Sequence, residues 1–141
     1  MSDDLYQQAI TTLAKAATGA GKLEHPDACE TVDNPLCGDR VTMDVELTDN
    51  RIARLAHDVR GCLLCRAAAS AIGSRAPGRT AGEIVQVRAG LQAMLKLCTV
   101  DPIDGWPELT AFQPVAAHKS RHDCVLLPFE ALIRALDRAA Y

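Results

Sequence analysis

What this sequence lacks narrows it first. It has no excess of basic charge: Lys and Arg number 15 against 18 Asp and Glu, well mixed, for a formal charge of −3. Nucleic-acid surfaces usually show a clustered basic patch, so no nucleic-acid partner is expected. No apolar run approaches the roughly 18–20 residues that a membrane helix needs, so no membrane partner is expected either. The first residues, Met1-Ser2-Asp3-Asp4, are acidic and polar, where a secretory signal is basic and then apolar. A cytoplasmic location is the expectation. A second Cys-x-x-Cys to match Cys62-Leu63-Leu64-Cys65 is also missing, which removes a zinc ribbon.

What is present is thiol. Six cysteines (29, 37, 62, 65, 98 and 124) stand in 141 residues. That length suits one domain, 1–141, and buries a core without covalent staples. With no signal and enough hydrophobic residues, the thiols read as reduced, for metal binding or reactivity, rather than as three disulfides.

The elements follow from periodicity. Residues 3–17 read as a helix with Tyr6, Ile10, Leu13 and Ala17 on one face, ended by the glycines at 19 and 21. Residues 22–33 read as irregular chain with one short edge strand. Residues 39–47 alternate: Val41, Met43, Val45 and Leu47 face one way, Arg40, Thr42, Asp44 and Glu46 the other. Asp49-Asn50 turns the chain into a second strand, Arg51 to Val59. An alanine-rich helix opens at Cys62. Thr80 with Glu83 forms a capping box for a helix carrying Ile84, Val87, Leu91, Met94, Leu95 and Cys98 on one face. Turn signals punctuate 99–120, around one short helix over 107–112 with Trp106 and Phe112 as anchors. A last helix runs to about Ala139, burying Val125, Phe129, Leu132 and Leu136, with Pro128 in its first turn.

Four residues carry the chemistry. In Asn34-Pro35-Leu36-Cys37-Gly38-Asp39, an extended backbone sets Cys37 and Asp39 on one side. Cys62 and Cys124 each stand at a helix start, where unsatisfied N–H groups and the helix dipole favour thiolate. Three thiolates and one carboxylate make a tetrahedral set for zinc or for cluster iron. Cys29 reads as a bystander and Cys98 as a small core hydrophobe. His25, His57 and His118 read as ordinary surface or strand residues.

Asn34 to Asp39, then Gly61-Cys62 leading into an Ala/Ser-rich helix, then Arg121-His122-Asp123-Cys124, resembles the U-type iron–sulfur cluster scaffold family. That family includes IscU, SufU and the N-terminal domain of NifU. The resemblance runs over nearly the whole chain and is most like the SufU branch. A long insert separates Cys62 from Cys124, Arg121 stands three residues before the last cysteine, and the Leu-Pro-Pro-Val-Lys stretch of the IscU branch is absent. Asp123 replaces that branch's histidine directly before the last cysteine. Two departures stand out: Thr18 to Lys22 replaces the family's Asn-Pro-Arg-Asn, and Cys65 replaces a serine.

The resemblance implies an α+β fold, a three-stranded antiparallel sheet packed against about four to five helices. It implies that Cys37, Asp39, Cys62 and Cys124 share a site for zinc or a nascent iron–sulfur cluster. Sulfur arrives as a persulfide from a PLP-dependent cysteine desulfurase, with Cys37 as acceptor. Apo iron–sulfur acceptor proteins receive the product. The chain is then mainly a scaffold or carrier, with sulfurtransferase turnover only beside a desulfurase. Arg121 is a candidate to support the sulfur transfer, and His122 an alternative fourth ligand. The glycines beside Cys37 and Cys62 favour an open, exchangeable site. Two competing functions remain: a purely structural zinc domain that mediates protein contacts, and a dithiol oxidoreductase using Cys62 and Cys65.

Overall fold

The computed structural model describes residues 3–35, 38–97, 103 and 105–139, the side chains of residues 3–7 excepted. Helix α1 (Asp3–Ala16) leads into strands β1 (Ala28–Asn34), β2 (Asp39–Thr48) and β3 (Arg51–Arg60). Helices α2 (Leu63–Arg75) and α3 (Ala81–Leu97) follow. A 3-10 segment, Pro107–Ala117, and a 3-10 turn, Lys119–Arg121, then bring the chain to α4 (His122–Ala139).

The sheet is an antiparallel meander in the order β1-β2-β3. The expected α+β class is observed. The alternation of β2 explains its place at the centre: Val41, Met43 and Val45 are fully buried. Asp49 and Asn50 both adopt positive φ, 53° and 64°, the paired left-handed conformation whose twist matches two flanking antiparallel strands. Asp44 departs from the expected solvent side and is buried. The chain entering β1 folds over that end of β2, and the Asp44 carboxylate accepts the Leu23 N–H at 3.1 Å.

One sheet face carries the core. Helix α4 packs across β1 and β2, while α2 lies between α1 and α4 and against β3. Because α2 has neighbours on several sides, its buried residues run almost continuously from Leu64 to Ile72. Its alanines let the neighbouring helices come close. The capping box at Thr80 forms as expected: Glu83 N–H donates to the Thr80 hydroxyl at 3.2 Å, and Thr80 N–H donates back to Glu83 at 3.2 Å. Ile84, Val87, Leu91, Met94 and Leu95 are buried. Cys98 lies outside the described residues, as do most of the turn signals between 99 and 104.

Three expectations need correction. The first helix ends not on glycine but on Ala17, at φ 45°. The loop after it runs along β3 as a short parallel bridge, Ala20 opposite His57. Pro107–Phe112 is not one isolated turn of helix. It is the first half of the longer 3-10 segment, which continues through Pro114 and is held by its buried Leu109, Phe112 and Val115. Pro128 lies in the interior of α4, not its first turn. The 3-10 turn winds the chain directly into α4 at His122, so the helix begins earlier than the sequence suggests. The helix persists across the proline because its buried face, Val125, Phe129, Leu132 and Leu136, is held by the core.

His57 is more than a strand residue. It is buried, and its Nε2–H donates to the Thr18 carbonyl at 2.8 Å. Its backbone N–H donates to the Gly19 carbonyl, and its own carbonyl accepts the Gly21 N–H, both at 2.9 Å. Burial holds its pKa below the ordinary value, against smaller opposing contributions led by the Thr18 carbonyl. The unfolded chain therefore takes up a proton near pH 6.5 that the folded chain resists. Stability is complete above about pH 6.5 and falls as pH drops through that value towards the lowered folded pKa. Urea midpoints at about pH 7.5 and about pH 5.5 should differ more for the wild type than for His57→Gln. Equal acid loss in both would remove His57 from the cause.

Candidate metal centre

Three elements converge on one point. Asp39 opens β2, Cys62 caps α2, and Cys124 sits in the first turn of α4. Each strand or helix start brings a side chain to the same end of the core. One ligand atom from each of these three residues lies within 4.8 Å of the other two. Zinc bonds of about 2.0–2.3 Å place the donors around one ion roughly 3.3–3.8 Å apart. Small side-chain rotations are enough to bring this set to that spacing. The donors are two thiols and a carboxylate, which suit zinc or cluster iron.

Asp39 is buried, with 2% exposure. One carboxylate oxygen accepts the Cys62 backbone N–H at 2.9 Å. The other accepts the Cys62 thiol at 3.3 Å. Cys62 itself is the N-cap of α2 and makes no side-chain cap. Asp39 instead bonds to that backbone from β2, and the positive end of the helix dipole favours an anion there. A Cβ at Gly61 would collide with the Asp39 carboxylate. The carboxylate thus fills the space that any other residue at 61 would need. The glycine before Cys62 leaves room for Asp39.

Asn34 pairs with Asp39 where β1 meets β2. Gly38 N–H donates to the Asn34 carbonyl at 2.8 Å, and Gly38 takes φ 77°. Glycine adopts this left-handed conformation without the strain a side chain would bring. The expected same-side placement of Cys37 and Asp39 rests on Cys37. Leu36 and Cys37 lie outside the described residues.

The remaining candidates fall elsewhere. His122 is buried, its ring Nε2 lies 3.2 Å from the Ala116 carbonyl, and it is not part of the ligand group. Arg121 is exposed. Cys65 is fully buried in the core and is not among the grouped ligands. Cys29 is exposed, and its thiol is pushed up to about 11, chiefly by its hydrogen bond to Asp44. It therefore stays protonated at neutral pH and remains the expected bystander. Sequence reasoning missed the fit of Asp39 against Gly61. Its only trace is the Gly-Cys dipeptide itself.

The model of the NifU-like N terminal domain matches residues 5–101. The chain belongs to this family. That match takes in Asp39 and Cys62 and ends before Cys124. A crystal structure of a nitrogen-fixing NifU-like protein (N-terminal) from Brucella abortus extends the likeness. It superposes with a TM-score of 0.91 at 32% identity, over 98% of this chain and 96% of that one. An Archaeoglobus fulgidus protein, iron-sulfur cluster assembly scaffold protein IscU 1, is 36% identical over 83 residues. The aligned part is 59% of this chain, and the chain spans about half (54%) of that relative's length. The Thermotoga maritima scaffold protein IscU is 24% identical across 95% of this chain and 94% of its own. A putative SUF-system scaffold from Fervidobacterium islandicum shares the fold, with TM-score 0.84 at 24% identity over 96% of this chain and 99% of its own. Among the described residues of this NifU-like domain, no helix is long and apolar enough to cross a membrane.

Proposed function

We propose that this NifU-like domain is an iron–sulfur cluster assembly protein, one cytoplasmic domain over residues 1–141. It takes persulfide sulfur from a PLP-dependent cysteine desulfurase, holds zinc or a nascent cluster on Cys37, Asp39, Cys62 and Cys124, and passes its cargo to apo iron–sulfur acceptor proteins. The observation that carries this reading is the meeting of Asp39, Cys62 and Cys124 at one point. The names of its relatives support it.

The donor chemistry suits the task. Thiolates hold zinc or cluster iron, and the same thiolates attack a persulfide sulfur. Cys37 is the proposed acceptor. Arg121 is proposed to steady negative charge carried on sulfur. One carboxylate among thiolates is a harder and weaker ligand for a soft metal, so Asp39 is the arm that lets cargo leave. Asp39→Ala should then hold a cluster longer and release it more slowly. Unchanged transfer in that variant would remove Asp39 from the release step.

The deciding experiment is metal and sulfide content of protein purified without air, before and after adding desulfurase, cysteine and ferrous iron. Persulfide or a transferable cluster is the expected result. A zinc lost only on unfolding, with neither persulfide nor cluster, would establish the structural zinc reading instead. The branch within the family is decided by the same data. One tight zinc and a persulfide without cluster marks a SufU-like sulfur shuttle.

A further inference from the structure

The sequence holds eleven arginines. Eight of them, 40, 51, 54, 75, 79, 88, 134 and 138, sit in ion pairs. The three without a recorded ion pair among the described residues are Arg60, Arg66 and Arg121. All three are exposed, and each stands within four residues along the chain of a cysteine of the candidate metal centre. Arg60 ends β3, two residues before Cys62. Arg66 lies one helical turn after Cys62, whose carbonyl accepts its N–H at 3.2 Å. Arg121 closes the 3-10 turn three residues before Cys124.

We propose that Arg60, Arg66 and Arg121 form a basic rim that docks the acidic contact surface of the sulfur-donating protein. This rests on the desulfurase partner proposed above. It adds the surface by which that partner is held and the sign of its charge. Arg66 lines a hollow of about 390 Å³ together with Lys22, His57 and Asp58. Arg60 lines another of about 170 Å³ on the open sheet face, with Thr42, Arg40 and Asp58. The acids nearby leave the rim positive. Asp33 is bonded to Arg40 at 2.6 Å. Asp58 borders both hollows without a recorded ion pair, and Asp123 is exposed beside Arg121.

The physics favours a protein carboxylate surface. A guanidinium with no internal partner keeps its planar fork of donors for an incoming carboxylate, which it binds bidentately. The chain as a whole carries −3, so a cationic edge around one site is a local feature. Such an edge steers association and fixes orientation more than it adds affinity. Its effect is screened by salt. A donor that delivers sulfur to this centre must cover its rim, so the same contact that aligns the thiols satisfies the arginines.

The test measures association of the full chain with a purified PLP-dependent cysteine desulfurase, at about 50 mM and about 500 mM salt, spanning strong and weak screening. Arg60→Glu/Arg66→Glu should slow association about tenfold or more at low salt, with the gap closing at high salt. Arg54→Glu is the charge-matched control. It stands six residues back along β3, about 20 Å from Arg60, and should change the rate less than about twofold, as distant surface charges do in screened solution. Circular dichroism and zinc content should match the wild type in all variants. Failure of the wild-type chain to bind any desulfurase would overturn the partner reading. Tight wild-type binding that neither salt nor the double variant alters would overturn the rim alone. Binding to duplex DNA that the double variant abolishes, with desulfurase association unchanged, would assign the rim to nucleic acid and also overturn it.

Discussion

Gly61→Ala is expected to disable the metal centre without touching a ligand. The added methyl would occupy the position of the Asp39 carboxylate. That carboxylate has nowhere to retreat within the core, since Asp39 is 2% exposed and fixed by the Cys62 N–H. It must rotate out, or the start of β2 must shift. Either movement takes the oxygen donor away from Cys62 and Cys124. Zinc affinity should fall about 10–100-fold, the scale seen when residues that orient metal ligands are changed. Helix α2 also loses a hydrogen bond at its start, so stability should drop by about 1 kcal/mol, as for a lost helix cap.

A double-mutant cycle reads this directly. For bound zinc, which loses a donor, Gly61→Ala and Asp39→Ala should lower equilibrium affinity to a similar extent, and the double variant should be no worse than either. This effect is separate from the slower rate of cluster release expected of Asp39→Ala. Cobalt absorption gives an independent view, because loss of the oxygen donor changes the ligand field. If Asp39→Ala weakens the metal and Gly61→Ala does not, the fit between them is not what holds the carboxylate. If neither variant affects binding, Asp39 is not a ligand.

Trp106→Ala should be the most damaging change away from the site. Trp106 is fully buried, with its ring centroid 5.8 Å from that of Phe129 and the planes tilted by 51°. Leu109, Phe112 and Val115 of the following 3-10 segment are buried with it. Removing the indole leaves a large cavity between this segment and α4. The cost should be about 3–5 kcal/mol, or roughly 10–15 °C in Tm for a chain of this size. Among the described residues the indole Nε1 is buried without a hydrogen-bond partner. Trp106→Phe therefore breaks no hydrogen bond and should recover most of the loss. Equal damage from both substitutions would show that shape at this point, not buried area, dominates.

The two anchors illustrate what local pattern conveys. Trp106 and Phe112 stand out as the only large aromatic residues in a turn-rich stretch, and burial follows from their size. The alternation over Val41, Met43 and Val45 gave β2, and the spacing of Val125, Phe129, Leu132 and Leu136 gave the buried face of α4. Strand β1 was harder to see, because its pattern has only Ala28 and Val32 buried and its pairing to β2 is non-local. Pro128 misled because the start of α4 depends on the 3-10 turn before it. His57 was undervalued because its burial comes from a loop about forty residues earlier in the chain.

The site divides in the same way. Its donor types were legible in sequence: cysteines at helix starts and an aspartate next to a glycine are local features, and local backbone chemistry favours anions there. So was the family, through the order of those residues along the chain. Tertiary structure alone decided which donors meet. It brought Asp39, Cys62 and Cys124 together from β2, α2 and α4, and it turned His122 towards Ala116 and Cys65 into the core. It also made Gly61 the counterpart of Asp39, because a residue's missing side chain acquires meaning only when another chain segment fills its place. Periodicity reports what each element turns inward, whereas the site depends on distances between elements far apart in sequence.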